Sequence, residues 1–173
     1  MKRLLVAGLL IVSMSACAEV LPIAPRPAVA EASDDLFLLV VRSPADRHPT
    51  GQPIDVFAEL LYQGPKNSET IFHASSPIFW QIVQLDGPAV MEGGMDMPCL
   101  STDLQAGAPK RYPFEKAGVV EDVPPFNRAW FEEDALRLPA GRWRFVATLS
   151  VSLGDCGGEP HELEASVDLV VGP

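Results

Sequence analysis

The sequence predicts an all-β protein, an antiparallel β-sandwich of about seven strands, on three observations. Apolar residues alternate with polar ones along several short stretches. Clusters of Gly, Pro, Asn, Asp and Ser separate those stretches. No segment shows a helical period of comparable strength, and residues 128–136 have room for only a turn or two of helix. Strands that bury one face need a second sheet to cover it, which is the reason to expect a sandwich.

The strands follow in order. LFLLVVR at 36–42 is a short run of β-favouring residues, bounded by Asp34-Asp35 and by Ser43-Pro44. Next, Ile54, Val56, Ala58, Leu60 and Tyr62 alternate with Asp55, Phe57, Glu59 and Leu61, giving one apolar face and one mixed face. The turn cluster GPKNS at 64–68 leads into ETIFH at 69–73. PIFWQIVQLD at 77–86 ends at Asp86-Gly87, a strong turn dipeptide, before the short AVM at 89–91. The C-terminal third carries the cleanest pattern. Trp143, Phe145, Ala147, Leu149 and Val151 share one face, and after the turn GDCGGEP so do Leu163, Ala165, Val167, Leu169 and Val171. Two such strands joined by a Gly-rich loop predict a hairpin.

The N-terminus has a different logic. Met1-Lys2-Arg3 is basic, residues 4–14 are an apolar run, and Ser15-Ala16-Cys17 is small. That run is shorter than the roughly 20 residues needed to span a bilayer, so it predicts a cleaved export signal. The small residues ending in Cys17, with Met14 where leucine is usual, resemble the lipobox of a bacterial lipoprotein. The resemblance implies cleavage before Cys17 and lipidation of its thiol, with about 0.8 kcal/mol of membrane affinity per buried methylene. A competing cut after Ala18 satisfies the small-x-small rule and would discard Cys17. Three segments follow: a lipoprotein signal peptide at 1–16, a lipidated cysteine and Pro-rich spacer at 17–33, and a single domain at 34–173. Prolines 22, 25 and 27 make the spacer extended and semi-rigid. The expected location is the cell envelope, with the membrane reached through a lipid anchor.

Cysteine usage fits that compartment. Assigning Cys17 to lipid leaves Cys99 and Cys156, which an oxidising environment allows to close as a disulfide worth about 4 kcal/mol in the chain-entropy model. Two separate free thiols are the alternative. The formal charge is −10 and becomes two units more negative if Lys2 and Arg3 leave with the signal. Such an acidic chain is a poor ligand for nucleic acid or anionic lipid.

LRLPAGRWRF at 136–145 resembles the segment that turns a corner into a late core strand of immunoglobulin-like domains. Trp143 stands where those domains place a tyrosine, so the tyrosine's hydroxyl bond to the backbone is not carried over. Together with TGQPIDVFAELLYQG at 50–64 and SSPIFWQIVQLDG at 75–87, the chain is similar to bacterial lipoproteins with one Ig-like domain and to the BsuPI-type proteinase-inhibitor domain. The resemblance runs from Leu36 to Val171 and implies the fold. No inhibitory residue transfers, because no reactive loop matches, and a fold alone does not assign an activity.

Candidate chemistry is sparse. MEGGMDMPC at 91–99 puts Met91, Met95 and Met97 close together, and soft thioethers with His73 or His48 suit Cu(I). The plainer reading has these methionines filling gaps or lying on the surface. Trp80, Trp130 and Trp143 raise a sugar-stacking platform, but Trp80 and Trp143 fall on apolar strand faces. Ser75 and Ser76 have no identifiable base, Glu132, Glu133 and Asp134 read as an exposed acidic turn, and GxSxG, HExxH, phosphate-loop and EF-hand patterns are absent from the sequence. The expected function is therefore non-enzymatic and needs no cofactor. It is a membrane-anchored module that binds a protein or supports envelope assembly, with proteinase inhibition as one form. Copper binding through the Met-rich loop is the alternative, and an unrecognised hydrolase the third class.

Overall fold

The computed structural model describes residues 24–92, 96–116 and 133–173, and among them eleven strands and no helix. They are β1 Ala28–Ser33, β2 Phe37–Ser43, β3 Arg47–Pro49, β4 Phe57–Tyr62, β5 Ser68–His73, β6 Ile78–Gln84, β7 Val90–Glu92, β8 Leu100–Gln105, β9 Lys110–Pro113, β10 Gly141–Leu153 and β11 Pro160–Gly172. Two sheets pack face to face as an all-β sandwich. One has four strands in the order β1-β2-β4-β9. The other has seven, with β3-β11-β10-β5-β8 along one path, β6 also on β10, and β7 on β6. Every pairing between these strands is antiparallel except β3 with β11.

Alternation decides which side chains enter the core. Ala58, Leu60 and Tyr62 of β4 are buried, while Phe57, Glu59 and Leu61 between them are only partly so. β2, flanked by β1 and β4, buries nearly its whole run, including Phe37, Leu39, Val40 and Val41. Across from them lie Trp143, Phe145, Ala147, Leu149 and Val151 of β10, with Ala165, Val167, Leu169 and Val171 of β11. Aromatic rings lock the layers together at their edges: Phe114 meets Phe145 at 5.7 Å and Trp80 at 5.6 Å between centroids, both edge to face. The predicted C-terminal hairpin is in register from Gly141 opposite Val171 to Ser152 opposite Pro160.

The Asp86-Gly87 turn forms, with the Gln84 N–H donating to the Ala89 carbonyl at 2.8 Å. Its carboxylate also accepts the Arg142 N–H at 3.0 Å, which ties the turn to the first residues of β10. Gly141 beside it has φ 152°, and a side chain there would meet that carboxylate.

Four strands go beyond the sequence reading. β1 takes residues 28–33 out of the expected spacer and pairs them with β2, from Ala28 opposite Ser43 to Ser33 opposite Leu38. Its inward residues are Ala28, Ala30 and Ala32, whose small side chains give a weak apolar signal although they pack against the core. Pro27 stops one residue short of the strand, where its missing N–H costs the ladder nothing. β3, β8 and β9 are short and polar, and each takes its order from a neighbour already in a sheet. Residues 133–136, the described part of the possible helical segment, are not helical.

The β1–β2 turn links the sheets. Asp34 Oδ1 accepts the N–H groups of Leu36 and Phe37 at 2.8 and 2.9 Å, and Oδ2 contacts His161 Nε2 of β11 at 2.6 Å. Burial pushes the Asp34 carboxyl up, but the two N–H bonds and the His161 charge outweigh it and hold it below the ordinary value.

Candidate functional site

The outward face of the seven-stranded sheet carries a cavity of about 570 Å3, a size typical of small-ligand sites. It arises where β10 changes partners. β6 pairs with β10 from Trp143 to Leu149, whereas β5 pairs with it only at Ser152 and Leu153. Between the two, the Ser150 N–H donates to the Pro77 carbonyl in the β5–β6 connection at 3.0 Å. The backbone is satisfied there, but the outward side chains have no regular neighbours to fill the space.

Strand register sets the walls. β10 faces its odd-numbered residues to the core, so Thr148, Ser150 and Ser152 point outward as a row of hydroxyls. Phe79 lies opposite Thr148 on one side, and Phe72 opposite Ser152. On β11, Glu162 is opposite Ser150 and Pro160 opposite Ser152. The remaining wall is Met97, Pro98 and Cys99, held to the β10–β11 turn by the Cys99–Cys156 pair. Those two cysteines stand as a disulfide pair with Cα atoms 5.9 Å apart, within the usual range.

Apolar surface and hydroxyls dominate this lining, and among the described residues Glu162 is its sole carboxylate. Among the described residues Glu162 has no ion-pair partner, although the outward Asp168 on the same strand takes two bonds from Arg144 at 2.7 and 3.0 Å. The Arg144 bonds hold the Asp168 carboxyl below its ordinary value against a smaller opposing effect of burial. Among the described residues no lysine or arginine lines the cavity.

The structure divides the proposed copper ligands. Met91 is 5% exposed and lies opposite Ile82, so it faces the core. Met97 is 83% exposed and lines the cavity on the other side of the sheet. Met95 lies outside the described residues, as does Cys17. His73 does reach the cavity, but both ring nitrogens are engaged. Nδ1 donates to the Ala74 carbonyl at 2.7 Å, which leaves Nε2 to accept from the Thr102 hydroxyl at 3.0 Å. A metal at Nε2 would have to displace that hydroxyl. His48 bonds the Ala45 carbonyl at 2.8 Å.

Other residues singled out in the sequence have structural roles. Trp80 and Trp143 are buried, and Trp130 and Glu132 lie outside the described residues. Ser76 Oγ accepts the Ile78 N–H at 3.2 Å, which shapes the start of β6, and Glu133 pairs with Arg137 at 3.5 Å. Phe72, Phe79 and Glu162 are the residues sequence reasoning passed over as site candidates. A signal for the phenylalanines was present, since each alternates with core residues and so places an aromatic ring on the outer face. Comparison of the chain with protein families, curated proteins and solved structures finds no match.

Proposed function

We propose that this protein is an exported, lipid-anchored, non-enzymatic binding module of the cell envelope, built on an Ig-like β-sandwich and using the outer-face cavity as its contact site. The carrying observation is that cavity, in which apolar walls surround a few convergent polar groups. Export is supported by the basic, apolar and small segments ending at Cys17, and by a cysteine pair suited to an oxidising compartment. The non-enzymatic reading is supported by the sequence, which carries none of the GxSxG, HExxH, phosphate-loop or EF-hand patterns. Copper binding is not carried forward, because Met91 and Met97 lie on opposite faces of one sheet.

Two experiments test the two halves. Cys17→Ser should move the protein from the membrane fraction to the soluble fraction with its melting temperature unchanged, and retention in the membrane refutes the anchor. Ser150→Trp fills the cavity from an exposed position. In ligand-observed NMR with a library of small organic compounds, signals that broaden with the wild type should stay sharp with this variant. A library indifferent to the substitution rules out the cavity as the contact site. Inhibition assays against serine, cysteine and metalloproteases test the inhibitor form, and no slowing of any class rules it out.

A further inference from the structure

The cavity also indicates which chemistry it prefers. We infer that it selects a small organic cation, an ammonium or guanidinium carried on an apolar body, with Glu162 facing the charge and Phe72 and Phe79 facing the body. This inference rests on the cavity being the contact site.

Three observations lead to it. Among the described residues Glu162 is the only carboxylate in the lining, stands in the row directly across from Ser150, and lacks an ion-pair partner. A ligand cation placed there gains a charge-assisted bond without breaking one already made. Second, the outward rings of Phe72 and Phe79 are half-buried and belong to rows on either side of Ser150. Aromatic faces attract cations and cover apolar groups, so one wall serves both parts of such a ligand. Third, no lysine or arginine among the described residues lines the cavity, and the chain carries a formal charge of −10. The net negative charge of the whole chain therefore disfavours anions and favours the approach of cations.

The hydroxyls of Thr148, Ser150 and Ser152 accept as well as donate, so they complete the bonding of an ammonium whose three N–H groups exceed what one carboxylate takes. A small molecule fits better than a polypeptide, because the strap of Met97, Pro98 and Cys99 forms a wall of the cavity and is itself tied down at Cys156.

The test uses the folded protein with its disulfide intact and compares three phenyl compounds of similar shape: phenethylamine, phenethyl alcohol and phenylacetate. Titrations followed by NMR of the protein read the affinities. The amine is expected to bind about tenfold more tightly than the alcohol, with phenylacetate weakest, and the amine's advantage should shrink as salt rises from 50 to about 500 mM. Glu162→Gln, a substitution at an exposed position, should bring amine and alcohol to equal affinity and leave the fold unchanged. Phe79→Leu should weaken both. Equal binding of the three compounds to the wild type overturns the inference while leaving the cavity as a binding site. Loss of amine preference in Phe79→Leu but not in Glu162→Gln overturns the role of Glu162. If no compound binds and only a lysine-containing peptide does, the small-molecule assignment is wrong.

Discussion

The indole nitrogen of Trp143 donates a hydrogen bond of 3.0 Å to the carbonyl of Pro139, four residues upstream and just before β10 begins. Trp143 is fully buried, so its polar atom needed a partner inside the fold. The bond fixes how the chain enters β10, the strand shared by β11, β6 and β5. A tyrosine at a strand corner makes a comparable bond with its hydroxyl, and here the indole makes it.

Trp143→Phe removes that donor and leaves space in the core. The loss should be about 2–4 kcal/mol, combining a partly vacated site with an unpaired carbonyl. Urea unfolding measures it, and the slope should stay constant while the midpoint falls. A midpoint within experimental error of the wild type shows that the indole bond does not hold the corner.

The cysteine pair spans 57 positions and ties the 97–99 wall to the β10–β11 turn. Cys99→Ala with Cys156→Ala should cost about 4 kcal/mol, since the unfolded chain regains the freedom that the loop removed. The cavity wall should loosen as well. Amide exchange near Met97 and Leu100 is expected to speed up before global unfolding does, and uniform exchange in both forms contradicts this.

Asp34 gives the molecule a defined acid response. Its carboxyl is held below the ordinary value of 3.8 when folded, so the folded state binds fewer protons and stability rises with pH through that region. The contribution is present above about pH 4 and disappears as pH falls through the lower folded value. Asp34→Asn keeps an oxygen for the Leu36 and Phe37 N–H bonds but removes the charge facing His161. It should cost under about 1 kcal/mol at pH 7, because the pair is partly exposed to solvent, and less at pH 2. Denaturation curves at both pH values provide the measurement. A deficit that persists unchanged in acid means that charge is not the cause.

Tyr112 presents the opposite case, a polar atom with little to lose. Its hydroxyl is buried and has no hydrogen-bond partner among the described residues, and burial pushes the phenol up to about 12. Tyr112→Phe deletes an unsatisfied group from a site that keeps its ring, so stability should stay level or rise by about 1 kcal/mol. In a spectrophotometric titration the wild-type chain should show a late phenolate step that this variant lacks. A clear loss of stability would reveal a partner for the hydroxyl.

Much of the sandwich was legible in the residues. β2, β4, β6, β10 and β11 each carry enough large apolar side chains at alternate positions to announce a buried face before any partner is known. β1 was not, because three alanines and three exposed residues resemble the Pro-rich segment before them until β2 offers an edge. The site was less legible still. Cys99 and Cys156 were an expected pair, and His73 and Met97 do reach one cavity, while Met91 joins the core opposite Ile82 and Met97 lies on the surface, as the plainer reading of the Met-rich loop had them.

The sequence by itself determined the strand pattern and the acidic balance, since periodicity and composition are local properties of a chain. Only the tertiary structure decided that Phe72, Phe79, Ser150 and Glu162 share one cavity. Phe72 and Glu162 are far apart in sequence and meet because β10 passes from β6 to β5 within a single strand, with β11 along its other side. Such a change of partner depends on long-range register, which no local pattern records.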